Sequence, residues 1–232
     1  MYQMFLCYSM VDAGVMEWQT CSTQNAVTAR SCGFKSHLQH MLNLTDKILV
    51  SYIIGVALGD GNLSNPNGRA VRLRITCDLK YPFLISKIEQ SLKKLAPQNK
   101  VSRINRGDRA IDISCYSNQW EQLFGWKAYG GSKIKQSVYV PNWILRNKKF
   151  CRACLCGLWE TDGSVYKDRK YLTANFVTQI PSLARCVQKM LSITNYRASI
   201  QRLILSNNRV KFTFRIHRNA SQFIKEMSID KR

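Results

Sequence analysis

The chain has 232 residues, of which 45% are hydrophobic, so it can bury a core and wholesale disorder is excluded. No window approaches ~18 uninterrupted apolar residues, which excludes a membrane-spanning helix. Against 14 Asp and Glu stand 35 Lys and Arg, a net charge of +21, and an excess that large on a folded chain points to a polyanion such as nucleic acid. The basic residues are spread along the chain rather than gathered on one amphipathic helix, which argues against a membrane-surface role. Nine cysteines are an odd count, and no secretory signal stands at the start. The expectation is reduced thiols in cytoplasm, nucleoid or an organellar matrix, not a secreted protein.

Residues 1–40 carry Arg30, Lys35, Asp12 and Glu17, which cancel, so the whole excess of +21 lies in residues 41–232. This first stretch lacks apolar periodicity and is expected to be a disordered extension or a mis-assigned start. Gly33-Phe34-Lys35-Ser36-His37 can be encoded by GGG-TTC-AAG-TCC-CAC, which resembles the T-arm of a transfer-RNA gene. On that reading translation begins at Met41.

From Met41 the elements follow in order. Asp46 to Gly59 is an apolar run with Thr45 as N-cap, hence a helix. Val71 to Ile75 alternates strictly and predicts a half-buried strand. Pro82 to Leu95 has helical spacing with proline in the first turn. Val101–Ile104 and Ile111–Tyr116 flank a turn at Asn105-Arg106-Gly107-Asp108, and Gln119–Phe124 reads as a short helix. After a linker over 141–149, a second pass begins at Phe150. It comprises a helix over Cys151–Thr161, a strand over Tyr171–Val177 and a helix over Pro181–Ile193. Strands over Arg197–Leu205 and Arg209–Ile216 and a closing helix over Ala220–Met227 complete it. The order therefore repeats, with one copy over 41–140 and the other over 150–232.

The two leading helices end alike. Ile53-Ile54-Gly55-Val56-Ala57-Leu58-Gly59-Asp60-Gly61 is matched by Leu155-Cys156-Gly157-Leu158-Trp159-Glu160-Thr161-Asp162-Gly163, with the paired glycines and the paired aspartates each 102 residues apart. Gly55 and Gly59, and likewise Ala153, Gly157 and Thr161, lie four apart, so each helix has a small-residue face that permits close packing. Two helix C-termini would then lie side by side, each with one aspartate, a hard-oxygen pair suited to Mg²⁺. Gly61 and Gly163 are expected to leave each helix in a left-handed turn.

This pair of motifs resembles the LAGLIDADG motif of homing endonucleases in its two-copy, single-chain form. The resemblance implies an α+β fold of two pseudo-symmetric αββαββα repeats, whose antiparallel sheets form a DNA-binding saddle. It also implies a monomer that makes a double-strand break in a long duplex DNA target, using Mg²⁺ or Mn²⁺ held between Asp60 and Asp162 with the Gly59 and Thr161 positions. Glu160 matches an earlier acidic position that Leu58 replaces in the first copy, and is read as peripheral. Lys135, in Ser132-Lys133-Ile134-Lys135-Gln136, and Lys231, near the chain end, are the matching active-site lysines. Gln179 matches a water-ordering glutamine, which the first copy lacks in Ile75-Thr76-Cys77-Asp78.

The strands support a reading face independently. Arg72 and Arg74 alternate with Val71, Leu73 and Ile75, while Lys211, Thr213 and Arg215 alternate with Val210, Phe212, Phe214 and Ile216. Such a face offers donors every ~6.5–7 Å, and a ribbon of strands fits the major groove. Arg69 and Arg103 in the first copy, and Thr173, Asn175, Arg197, Ser199 and Gln201 in the second, extend this candidate surface. Cys151-x-x-Cys154 has half the spacing of a zinc knuckle without a second half, and is read as packing. Two other functions fit the scaffold: a maturase that binds intron RNA, and a DNA-binding regulator that no longer cuts. Both aspartates are intact, which favours cleavage over either.

Overall fold

The computed structural model describes residues 41–168, 171–206 and 208–231. The expected N-terminal extension lies outside the described residues. The elements run α1 (Lys47–Gly59), β1 (Gly61–Ser64), β2 (Arg72–Asp78), α2 (Pro82–Leu95), β3 (Val101–Asn105), β4 (Ala110–Tyr116) and α3 (Trp120–Phe124). After a single 3-10 turn at Ile144–Arg146 come α4 (Lys148–Thr161), β5 (Gly163–Asp168), β6 (Tyr171–Thr178), α5 (Pro181–Ile193), β7 (Ser199–Ile204), β8 (Val210–Ile216) and α6 (Ala220–Met227). The pattern αββαββα thus occurs twice. Its two antiparallel sheets have the same order, β1-β2-β4-β3 and β5-β6-β8-β7.

The leading helix is apolar on all sides because it is enclosed on all sides: every residue from Val50 to Leu58 is buried. Its N-cap is Asp46, not Thr45. The Asp46 carboxylate accepts from the amides of Ile48 and Leu49, satisfying two first-turn donors that a threonine one residue earlier does not reach. Asn147 does the same for α4, accepting from Lys149 and Phe150. The helices α2 and α5 open on Pro82 and Pro181 and bury one face each, led by Ile88 and Leu92 in one and Val187 and Met190 in the other. One core runs through both repeats. It contains Ile53, Leu73, Ile113 and Trp120 from the first repeat and Leu155, Trp159, Phe176 and Phe223 from the second. Trp159 stacks on Phe176 and meets Phe223 edge-on, at 5.0 Å in each case. Among the described residues no helix is long and apolar enough to cross a membrane.

The helices α1 and α4 pack backbone to backbone. A Cβ on Gly55 would enter the Cys154 carbonyl, and one on Gly157 would enter the backbone of Tyr52 and Val56. Cys154, rather than the half-buried Ala153, meets Gly55. Gly61 and Gly163 depart from expectation. Neither has a positive φ; both begin strands, β1 and β5, that their short and polar sequences do not announce. Glycine is needed there for space, because a Cβ would lie 2.6 Å from the Ala57 backbone in one case and 2.7 Å from Trp159 Cα in the other.

Candidate active site

Close packing of α1 and α4 brings their C-terminal ends together. Asp60 and Asp162 are the residues that cap those ends. A Cβ on Gly59 would strike the Thr161 side chain and lie 3.5 Å from the Asp162 carboxyl carbon, a measure of how near the helix ends are. Both aspartates are open to solvent by surface area, yet enough protein crowds them to strip hydration. That loss raises Asp60 above the usual carboxylate range, against the pull of Lys133 and Lys231. It raises Asp162 to about 6, with repulsion from Asp60 adding to burial and the same two lysines opposing. Among the described residues neither carboxylate accepts a hydrogen bond or forms an ion pair.

Two lysines flank the pair. Lys133 donates from Nζ to the carbonyls of Ala57 at 2.9 Å, Leu58 at 2.8 Å and Gly59. Lys231 donates to Thr161 at 3.0 Å and Gly163 at 2.6 Å, and lies 5.5 Å above the Tyr81 ring. Lys133 thus meets the Leu58 and Gly59 carbonyls, and Lys231 the Thr161 carbonyl, at helix C-termini where carbonyls lack helical partners. Burial lowers Lys133 to about 8, although Asp162 and Asp60 both pull it upward.

Lys133 therefore replaces Lys135 as the first-repeat candidate. Lys135 is exposed, and its amide donates to Ser132 Oγ. Two residues of spacing decide the matter: in the turn over 132–138 Lys133 faces inward with Ile134 and Val138, while Lys135 faces out. The Gly59 and Thr161 carbonyls, expected among the metal donors, each accept from a lysine, so the carboxylates are the open oxygens. Two hard-oxygen anions that repel each other and, among the described residues, accept no hydrogen bond fit a divalent cation. Among the described residues no group of three or more His, Cys, Asp and Glu gathers as a metal site. Gln179 is half-buried just past β6. Because Gly61 faces Ile75 and Gly163 faces Phe176, Asp78 holds the matching place in the first sheet, where it pairs with Lys80 at 3.2 Å.

The outer sheet faces form cross-strand rows. In the second sheet Ser164, Asn175, Arg215 and Ser199 lie in one row, and Thr213 faces Val177 and Gln201 in the next. Arg215, Ser199, Gln201 and Arg197 are exposed, and Asn175 and Lys211 half-buried. Thr173 and Thr213 offer less than expected. Thr173 is fully covered, with its Oγ1 3.1 Å from His217 Nδ1, and Thr213 is buried, because both occupy central strands shielded by neighbours on either side. In the first sheet Asn62, Arg74, Ser114 and Ser102 form the equivalent row. Arg72 donates to Ser64 Oγ at 3.2 Å, and Arg69 is exposed in the loop between β1 and β2.

Arg103 does not belong to that face. Its partner in β4 is Ile113, so it projects to the helix side of the sheet, where it pairs with Glu89 of α2. The outer face also holds a carboxylate that composition concealed. Asp112 accepts from Thr76 Oγ1 at 2.7 Å and lies 3.8 Å from Arg74 and 3.9 Å from Arg106. Its signal was present in the alternation of Ile111-Asp112-Ile113-Ser114, which puts Asp112 with the arginines. Arg74 and Asn175 hold the same place in their two sheets, and Arg74 Nε and Asn175 Oδ1 are both buried without a hydrogen-bond partner.

The fold and site define a class: two α+β repeats joined along paired helices, with one aspartate from each repeat at the seam. Residues 149–226 match the family model described as a LAGLIDADG-like domain. The homing endonuclease I-DmoI, solved in complex with DNA and Mn, aligns with a TM-score of 0.57 at 18% identity, over 78% of this chain and 96% of that one. I-WcaI bound to its DNA recognition sequence aligns at 0.51 and 14%, over 80% and 81%. The N-terminal LAGLIDADG domain of DUF199/WhiA aligns at 0.52 and 14%, over 80% and 84%. No curated protein matches the chain. In fold the chain is similar to these two-repeat, single-chain structures, and residues 149–226 match the LAGLIDADG-like family model.

Proposed function

We propose that this chain is a site-specific DNA endonuclease, working as a monomer, that makes a metal-dependent double-strand break with Asp60 and Asp162. The observation that carries this reading is the carboxylate pair at the α1–α4 seam, crowded, mutually repelling and, among the described residues, accepting no hydrogen bond. Structure for its own sake gives no reason to hold two such groups together, since unpaired crowded carboxylates cost stability. A bound Mg²⁺ or Mn²⁺ supplies Lewis acidity and a water nucleophile at neutral pH. The residues present fit that role, with Asp60 and Asp162 as donors and phosphate or water oxygens completing the coordination. That I-DmoI was solved with DNA and Mn supports the reading.

The chain's own groups would act as follows. Lys133 and Lys231 hold positive charge beside the carboxylates, where a phosphodiester gains negative charge in the transition state. Gln179, just past β6, would orient water in the second half, a role Asp78 at the matching place would fill differently. Arg74 and Asn175 lie in matching rows of the two outer faces, where their side chains would meet base edges. Arg69, Arg72, Arg197, Ser199, Gln201, Lys211 and Arg215 supply further phosphate or base contacts.

The test is cleavage of a plasmid that carries the host locus rejoined without this reading frame, with Mg²⁺ or with EDTA. A metal-dependent double-strand break that Asp162→Asn abolishes is expected. Tight DNA binding without a break would overturn the nuclease reading in favour of a regulator. Preference for intron RNA over duplex DNA would favour a maturase.

A further inference from the structure

We propose that Glu160 is a positioning residue for the second half of the site: it anchors the segment after α6 and thereby sets Lys231 against the end of α4. The consequence for cleavage rests on the nuclease reading; the anchor itself does not. Glu160 lies two residues before Asp162 and is 0% exposed. Its carboxylate gathers donors from three parts of the chain. Oε1 accepts from Lys87 Nζ in α2 at 2.7 Å and from the Asp230 amide at 2.9 Å, while Oε2 accepts from the Tyr52 hydroxyl in α1 at 2.9 Å. A carboxylate in such a place is tolerated only when its lone pairs are met, and here they are.

Residues 228–231 form neither helix nor strand. They are held by Cys156 Sγ donating to the Ser228 carbonyl at 3.4 Å, by the Ile229 amide donating to Ile224 at 3.0 Å, and by Glu160 at Asp230. The next residue is Lys231, with its ammonium on the carbonyls of Thr161 and Gly163. Because successive Cα atoms are ~3.8 Å apart, fixing the Asp230 amide fixes where the Lys231 side chain begins. The first repeat has Leu58 in place of Glu160 and needs no such acceptor. There Lys133 sits in a turn closed by its own bonds, from Gln136 N to Ser132 O at 3.1 Å and from Val138 N to Lys133 O at 3.2 Å. A helix-borne carboxylate does for one lysine what a local turn does for the other.

Glu160→Leu installs the first repeat's residue, and Glu160→Gln keeps an oxygen acceptor for Asp230. Amide exchange is read residue by residue, and single-turnover cleavage is read strand by strand. In Glu160→Leu the Asp230 amide is expected to exchange about tenfold faster or more, the scale of one hydrogen bond to a charged group, while α1 and α4 stay protected. One strand is expected to be cut about tenfold more slowly, so that nicked DNA accumulates. Glu160→Gln should recover most of both losses. In a Lys231→Met background, Glu160→Leu should add less than about twofold, because both changes remove one effect.

Unchanged exchange at Asp230, equal slowing of both strands, or full additivity with Lys231→Met would each overturn the proposal. Should the wild type cut no DNA, the nuclease reading fails, and exchange at Asp230 alone decides the anchor. If Glu160→Leu loses protection throughout, Glu160→Met with Lys87→Met carries the same comparison, since it replaces the buried pair by apolar chains.

Discussion

On the first sheet, the strand cations Arg72 and Arg74 and the turn cation Arg106 are already engaged. Arg74 and Arg106 lie within 4 Å of Asp112, and Arg72 donates to Ser64. On the second sheet Arg215, Lys211 and Arg197 have no acidic partner among the described residues. Strand order and register are the same in both, so backbone topology does not cause the difference. For Arg74 and Arg106 it arises from one carboxylate, Asp112, where the second sheet has Thr213. An arginine held by a carboxylate is fixed in direction and partly neutralised; an unpaired one keeps its full attraction for phosphate. If these faces bind DNA as proposed, the first half is built to discriminate and the second to attract.

The largest effect expected falls on both halves at once. Asp60→Asn and Asp162→Asn should each remove several kcal/mol of transition-state stabilisation, a loss on the order of a thousandfold or more, with DNA affinity retained. Cleavage kinetics beside a binding titration check this, and a variant cutting at the wild-type rate would sink the metal assignment. Next comes the seam between the halves. Gly157→Ala pushes a methyl into the Tyr52 and Val56 backbone and should cost about 3 kcal/mol, read by urea unfolding. Lys133→Met should then slow cleavage about a hundredfold, taking the scale of one lost transition-state donor, while Lys135→Met leaves it within about twofold. Equal losses would return the role to Lys135.

Smaller effects sharpen the contrast between the sheets. Asp112→Asn should loosen base preference in the half-site under the first sheet and steepen the salt dependence of binding, as up to two freed guanidinium groups gain phosphate contacts at a slope of about 0.9 each. Arg215→Ala should weaken binding; a change confined to a few positions marks a base contact, and a uniform loss with a shallower salt slope marks a phosphate. The smallest effect concerns pH. The folded protein keeps the Asp162 proton up to about 6, whereas the unfolded chain releases it near 3.8, so this group's contribution is fully present below 3.8 and is lost as pH rises through about 6. In EDTA, Asp162→Asn should melt above the wild type at pH 7, with the gap closing below about pH 4. A gap of the same size at both pH values would show that the aspartate carries no such strain.

Much of this architecture could be read along the chain. Proline-led amphipathic helices, the alternation from Val71 to Ile75 and the repeat of Gly-x-x-x-x-Asp at 102 residues determined the repeats, the helix pairing and the two aspartates, because each rests on local periodicity. Arg72, Arg74 and Arg215 were placed on the outer faces by the same alternation. Tertiary structure alone decided the rest. Arg103 was lost to the helix side because register with Ile113, not its own strand, sets its face. Lys133 displaced Lys135 because a turn chose which ammonium reaches the end of α1. Glu160 acquired its partners from Tyr52, Lys87 and Asp230, which lie 70 or more residues away. Periodicity reports which side of an element a residue takes, but a partner is set by which elements meet, and that is a property of the fold.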